Sequence, residues 1–279
     1  VVYGCREGVI DAIVEMDREG AAVILVLLTC VPALIGEDLE GIKYEVKERI
    51  KAKLLMIDVA HYKRNGYDDG FVYTLGQLAE LSEANDEKSC EVDTNGLMVL
   101  GSTKSKEIHQ LLTSLAAAGI TVNYIENQRQ VKEIAKTLAG SRFFLVLNPH
   151  YQQLVENLSA KRKIEVYALY NVYTAKEIFA VFKQLLEDLE MPVPEWLFSS
   201  YDALLRAENR HISQNANERQ KKYAFGLLPV ESFSLANYFA DLGYAIAFIH
   251  AERINTSDEH ARKSLLDKGQ NPKDRKSVV

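Results

Sequence analysis

Four residues of this chain carry side chains suited to chemistry: Cys30, His61, His150 and His250. Each stands at or just beyond the end of an apolar run that reads as a strand. Cys30 follows Val23 to Leu28, and His61 follows Leu54 to Val59. His150 follows Phe143 to Leu147, and His250 follows Tyr244 to Ile249. In open α/β sheets ligands bind outside the carboxyl ends of the strands. A thiol there, beside the amino end of a helix whose dipole favours the thiolate, is either reactive or a buried structural group. An imidazole at that edge can ligate through nitrogen or pass a proton near neutral pH, or it can be a solvated loop residue. Asn148 shares the edge with His150, which could equally cap the following helix.

Other features are weaker. Gly101-Ser102-Thr103-Lys104-Ser105 invites a phosphate-loop reading, since loop amides at a helix start favour anions. It lacks the Gly-x-x-x-x-Gly-Lys-Ser/Thr spacing, so nucleotide binding is not expected. His109 and Trp196 read as structural, and Tyr167, Tyr170 and Tyr173 as packing residues.

The four strand ends can serve one edge only if the strands run parallel, and a repeat predicts that they do. Val1-Val2-Tyr3-Gly4, Leu97 to Gly101 and Tyr223 to Gly226 each lead into an amphipathic helix, then Gly20, Gly119 or Gly243, then another strand. The late glycine fits the left-handed position just past a helix end. Strands alternating with helices imply crossover units and a parallel sheet. Further helices are expected at Val131–Leu138, Gln152–Leu158, Thr174–Leu189 and Glu195–Arg210, with a strand at Ile164–Leu169. The fold class is therefore α/β, with repeated Rossmann-like, doubly wound parallel-sheet domains. They divide as 1–88, 95–210 and 220–279, the last being the start of an incomplete third domain, with a polar linker over Ser82–Thr94.

Composition excludes several classes. The chain has 279 residues, 47% hydrophobic and 26% charged, with a formal charge of −6. That balance suits a globular protein and argues against nucleic-acid binding, which needs a basic face. No apolar run approaches the roughly 18–20 residues that span a bilayer, and no secretory signal is visible. Three scattered cysteines (Cys5, Cys30, Cys90) make no disulfide framework. A cytoplasmic protein with reduced thiols is expected, and the absence of a starting methionine suggests a fragment.

The segment Thr29-Cys-Val-Pro-Ala-Leu-Ile-Gly-Glu-Asp-Leu-Glu-Gly-Ile42 resembles a signature of the nitrogenase component 1 family. That family includes the nitrogenase α and β subunits and the dark-operative protochlorophyllide reductase subunits. The resemblance implies that Cys30 ligates an iron–sulfur cluster shared with a homologous subunit. It also implies electrons delivered by an ATP-dependent iron protein. Gly36 and Asp38 would lie at the cluster. A crevice near His61, Asn148, His150 and His250 would hold a substrate, a further metallocofactor or a tetrapyrrole, with His61 and His150 in catalytic roles. One departure matters. In the nitrogenase α subunit the strand matching Phe143–Leu147 ends in a cysteine that binds the metal cofactor, whereas here Asn148-Pro149-His150 follows. Dinitrogen reduction is therefore not expected, and a relative with another substrate or a cofactor-assembly scaffold is. A sugar-nucleotide-binding or periplasmic-binding-like protein is the rival of another class.

Overall fold

The computed structural model describes residues 5–60, 70–83, 93–125, 131–214, 221–226, 232–251 and 256–276. The chain divides into two compact units, Val1–Gln77 and Leu78–Val279. The expected strand at 1–4, His61 and residues 84–92 of the linker lie outside the described residues.

In the first unit, α1 (Arg6–Arg18) leads to β1 (Val23–Leu28), α2 (Cys30–Leu34), α3 (Leu39–Val46) and β2 (Lys53–Asp58), with α4 (Gly70–Glu83) beyond. The two strands pair in parallel, from Val23 opposite Lys53 to Leu28 opposite Asp58. Ile10, Ile13 and Val14 recur along one side of α1, with Glu7 in its first turn and Arg18 in its last. Those charges complement the helix dipole, and the apolar side is the one buried. It packs with Ile24 of β1 and with Ile42 and Val46 of α3. The Asp17 carboxylate accepts the amide N–H groups of Lys51 (2.7 Å) and Ala52 (2.6 Å), which fixes the approach to β2.

The second unit holds two sheets. The larger has the order β4-β3-β5-β6, built from β3 (Asp93–Leu100), β4 (Thr121–Tyr124), β5 (Ser141–Val146) and β6 (Glu165–Ala168). Its crossovers are α5 (Lys106–Ala117), α6 (Val131–Gly140) and α7 (Gln152–Lys161), and α8 (Ala175–Asp188) and α9 (Glu195–Gln214) follow. All its strand pairs are parallel. Central parallel strands are covered on both faces and read as unbroken apolar runs. Accordingly Leu97, Met98, Leu100, Phe144, Leu145 and Val146 are fully buried. The smaller sheet runs β7-β8-β9 (Lys222–Phe225, Ala245–Ala251, Lys273–Lys276), also parallel, with α10 (Ser232–Asp241) and α11 (Thr256–Asp267). Phe233, Ala236, Ile246, Ile249 and Leu265 form its core. The parallel α/β architecture expected from the repeat is thus what the chain adopts.

The punctuation residues behave as their types require, with one exception. Gly20, Gly119 and Gly243 take φ values of 91°, 90° and 87° just after α1, α5 and α10. Helix α8 starts from a full capping box, Thr174 with Glu177. It ends in a Schellman turn, Glu190 N–H to Glu187 C=O (3.0 Å) and Met191 N–H to Leu186 C=O (2.8 Å). The left-handed position there is held by Glu190, at φ 56°. A side chain in that conformation costs about 1–2 kcal/mol, partly offset by glycine's greater entropy when unfolded. Glu190→Gly is therefore expected to raise stability by about 0.5–1 kcal/mol, read as a higher urea midpoint at unchanged slope.

Tyr167 of β6 is buried and its hydroxyl donates to Asp188 Oδ2 at 2.6 Å. Burial first, and the hydrogen bond and charge of Asp188 next, hold its phenol proton well above the usual range. The folded state thus keeps this proton to higher pH than the unfolded chain does. Its contribution is complete below about pH 10, the ordinary tyrosine value, and is lost as pH rises beyond it. Tyr167→Phe should flatten the alkaline arm of a stability-against-pH curve above about pH 10.

Candidate functional site

The Cys30 segment is built by β1 and the turns after it. The apolar run of β1 ends at Leu28, Thr29 is extended (ψ 178°), and Cys30 is the first residue of α2. Pro32 is the third position of this five-residue helix, where proline's missing N–H has no intrahelical partner to lose. Cys30 is half-buried and packs with Leu39 against Leu28, Ala33 and Ala60. Cys5 and Cys30 form no disulfide.

Along the chain on both sides of Cys30, large hydrophobic residues are exposed. Leu27 (51% exposed), Val31 (54%), Leu34 (69%) and Ile35 (42%) stand within nine consecutive residues that include Cys30. Isolated exposed hydrophobics are normal, but a run of them marks a contact surface.

The acidic motif after α2 is occupied by structural work. Gly36 takes φ 79° and lets the chain leave α2. The Glu37 carboxylate accepts the Cys5 backbone N–H (3.1 Å) and lies 3.8 Å from the Cys5 thiol. Asp38 caps α3, accepting the Gly41 N–H at 2.9 Å, and a Cβ at Gly41 would run into that carboxylate. Arg6 pairs with Glu45 at 2.9 Å. The start of α1 is thereby tied at two points, to the motif at Glu37 and to α3 at Glu45. Asp38→Ala is expected to cost about 1 kcal/mol, the usual worth of such a cap, measurable by chemical denaturation.

In the four-stranded sheet the chain order reverses between β3 and β5, so the ligand crevice of this topology lies between their carboxyl ends. Gly101 follows β3 at φ 118°, and a Cβ there would lie 3.0 Å from Asn148 Cβ and 3.1 Å from its backbone nitrogen. The two loops close directly on each other. Asn148 Oδ1 accepts the His150 N–H at 3.0 Å, opening the short 3-10 turn Pro149–Tyr151. His150 itself is exposed. Ser105, from the phosphate-like loop, caps α5 through Ile108 N–H (3.4 Å) and donates to Glu107 (2.8 Å). Together with Glu107's own backbone N–H, the larger cause, that bond holds the Glu107 carboxyl below its ordinary range. His250 is half-buried in β8, opposite Arg275 of β9 in register, and a Cβ on Gly226 would lie 3.6 Å from its Cβ.

The structure therefore brings Asn148 and His150 together on one turn and sets Cys30 and His250 on elements of their own. His61 lies outside the described residues. Among the described residues no three His, Cys, Asp or Glu side chains are grouped to hold a metal ion. Cys30 would fit an iron–sulfur cluster as one corner of it: a sulfur donor just past a strand end, backed by apolar side chains. The tie between Glu37 and Cys5, 32 residues apart, was not visible in the sequence, because no local signal marks a contact at that separation.

Comparisons with known proteins give the family and the fold. The family described as "Nitrogenase component 1 type Oxidoreductase" matches residues 1–278. A subunit of the light-independent protochlorophyllide reductase from Picosynechococcus sp. is 25% identical over 228 residues, covering 76% of this chain and 43% of that protein. The corresponding polypeptide of the Pinus thunbergii reductase is 24% identical over 227 residues, covering 76% and 44%. This chain thus spans less than half the length of these relatives. A solved nitrogenase Cp1 at pH 6.5 superposes with a TM-score of 0.63 at 15% identity, covering 99% of this chain and 64% of that one. At that identity the likeness speaks for the fold. No helix among the described residues is long and apolar enough to cross a membrane.

Proposed function

The chain belongs to the nitrogenase component 1 type oxidoreductase family, and on that premise we propose that it is one subunit of an iron–sulfur reductase. Its substrate is other than dinitrogen, and its electrons come from an ATP-dependent iron protein. One observation carries the reading: Cys30 stands at the end of β1 inside an exposed apolar run, the setting that a cluster shared across a subunit junction requires. When bound, the cluster supplies one-electron storage at low potential. The chain's own part is to hold the Cys30 sulfur at the head of α2, and to keep water from one side of it with Leu28, Ala33 and Ala60. Leu27, Val31, Leu34 and Ile35 would bury against a homologous subunit. His61, Asn148, His150 and His250 are assigned to the substrate side, the histidines as proton donors or nitrogen ligands.

A second reading, a non-catalytic cofactor-assembly scaffold or ligand-binding protein of the same fold, draws on the Asn148 cap. The β5 end offers a turn-forming carboxamide where the nitrogenase α subunit offers a thiol. Purification without air, followed by iron and acid-labile sulfide analysis and reduction by an ATP-driven iron protein, separates the two. Iron and sulfide in cluster proportion, with reduction coupled to ATP hydrolysis, supports the reductase. Protein that takes up iron and sulfide without being reduced supports the scaffold, and a metal-free complex sinks the reductase and leaves the ligand-binding protein.

A further inference from the structure

We propose that the outer edge of β6, with α8 beside it, is a docking groove for an extended peptide that pairs with β6 as a fifth strand. That peptide carries a basic residue and a small apolar residue two positions apart. β6 is the last strand of the order β4-β3-β5-β6, and among the described residues no strand lies beyond it. The Leu169 N–H donates to Val146 C=O at 2.9 Å, continuing the β5–β6 ladder. In a parallel pair alternate residues turn their amide groups to the neighbour. Leu169, Tyr167 and Glu165 therefore face β5, and Val166 and Ala168 present their N–H and C=O groups outward. β6 has no proline or lysine of the kind that blocks such edges.

The edge opens on a pocket of about 570 Å³ that β6 shares with Ala180, Val181, Gln184 and Asp188 of α8. A strand edge with a helix alongside is a recurring setting for peptide addition, with main-chain bonds giving affinity and alternate side chains giving specificity. The chemistry of the walls chooses the peptide. Among the described residues Asp188 receives neutral donors, Tyr167 Oη (2.6 Å) and Gln184 Nε2 (3.0 Å), which leave its charge unpaired by a cation. Glu165 adds a second carboxylate, approached by Arg142 at 3.9 Å, and no basic residue lines the pocket. Ala180 and Val181 leave room for a small apolar side chain. Successive residues on one face of a strand are about 6.6 Å apart, so one lysine and one valine at that spacing reach both regions.

The test titrates the intact protein with a fluorescein-labelled Thr-Lys-Thr-Val-Thr-Thr peptide and reads anisotropy. Saturable binding is expected, weakened roughly tenfold when lysine is changed to glutamate in the peptide. Asp188→Asn, which still accepts the Tyr167 hydroxyl, should weaken binding several-fold and flatten its salt dependence. Two peptides N-methylated at alternate residues, in opposite phase, should differ: one phase abolishes binding and the other spares it. No saturable signal, equal binding of the glutamate peptide, or equal behaviour of the two phases overturns the proposal. So does concentration-dependent dimerisation abolished by Val166→Pro, which would assign the edge to a second copy of the chain.

Discussion

Cys30→Ala, purified without air, is expected to lose iron and acid-labile sulfide together, and its reductive turnover should fall at least about a hundredfold. Changes to residues that merely support a metal ligand already cost about 10–100-fold, and removing the ligating sulfur removes more. The fold should survive, because Cys30 is only half-buried and alanine keeps the first residue of α2 helical. Circular dichroism and the denaturation midpoint should therefore stay close to the parent's. Retention of full iron and sulfide would assign the sulfur to packing and leave only the architecture standing.

Phe143→Ala should produce the largest loss of stability, about 3–5 kcal/mol. Phe143 is 2% exposed on β5, with β3 and β6 on either side. Its ring lies 6.5 Å from that of Tyr167 and belongs to the core that includes Leu97, Leu111 and Leu185. Removing it leaves a void that neighbours anchored in a parallel sheet cannot close. Urea unfolding followed by circular dichroism gives the number. A loss under about 1 kcal/mol would mean that the sheet repacks around the gap.

How much was legible in the sequence follows from where each signal lives. The strand–helix repeat could be read because its punctuation is local: Gly119 and Gly243 sit where the backbone turns left-handed, and Thr174 with Glu177 marks the start of α8. Glu190 gave no such sign, since its left-handed backbone is set by the Schellman turn and not by its own residue type. The order β4-β3-β5-β6 was not legible, because crossover direction leaves no mark on composition. Contacts across long separations were equally hidden. The Arg162 guanidinium donates to the Leu138 and Ala139 carbonyls at the end of α6, 24 and 23 residues back, and nothing near Arg162 announces it. At the site, the sequence indicated the position of Cys30 but not that Pro32 lies inside a helix. A proline in a first turn and a proline in a turn look alike until the neighbouring hydrogen bonds are known. Asn148 and Asp38 are ligand candidates by their position in the family pattern, and the caps they form could not be read from that pattern.

Because every described strand pair is parallel, most of the residues proposed for the site stand apart from those that hold the sheets together, His250 within β8 being the exception. Leu97, Phe144 and Leu145 lie within strands, whereas Cys30, Asn148 and His150 lie beyond strand ends. A lineage could rewrite the tips one at a time, trading a thiol for a carboxamide after β5, while the scaffold beneath felt almost nothing. Chemistry at such tips can diverge while the framework beneath them stays recognisable.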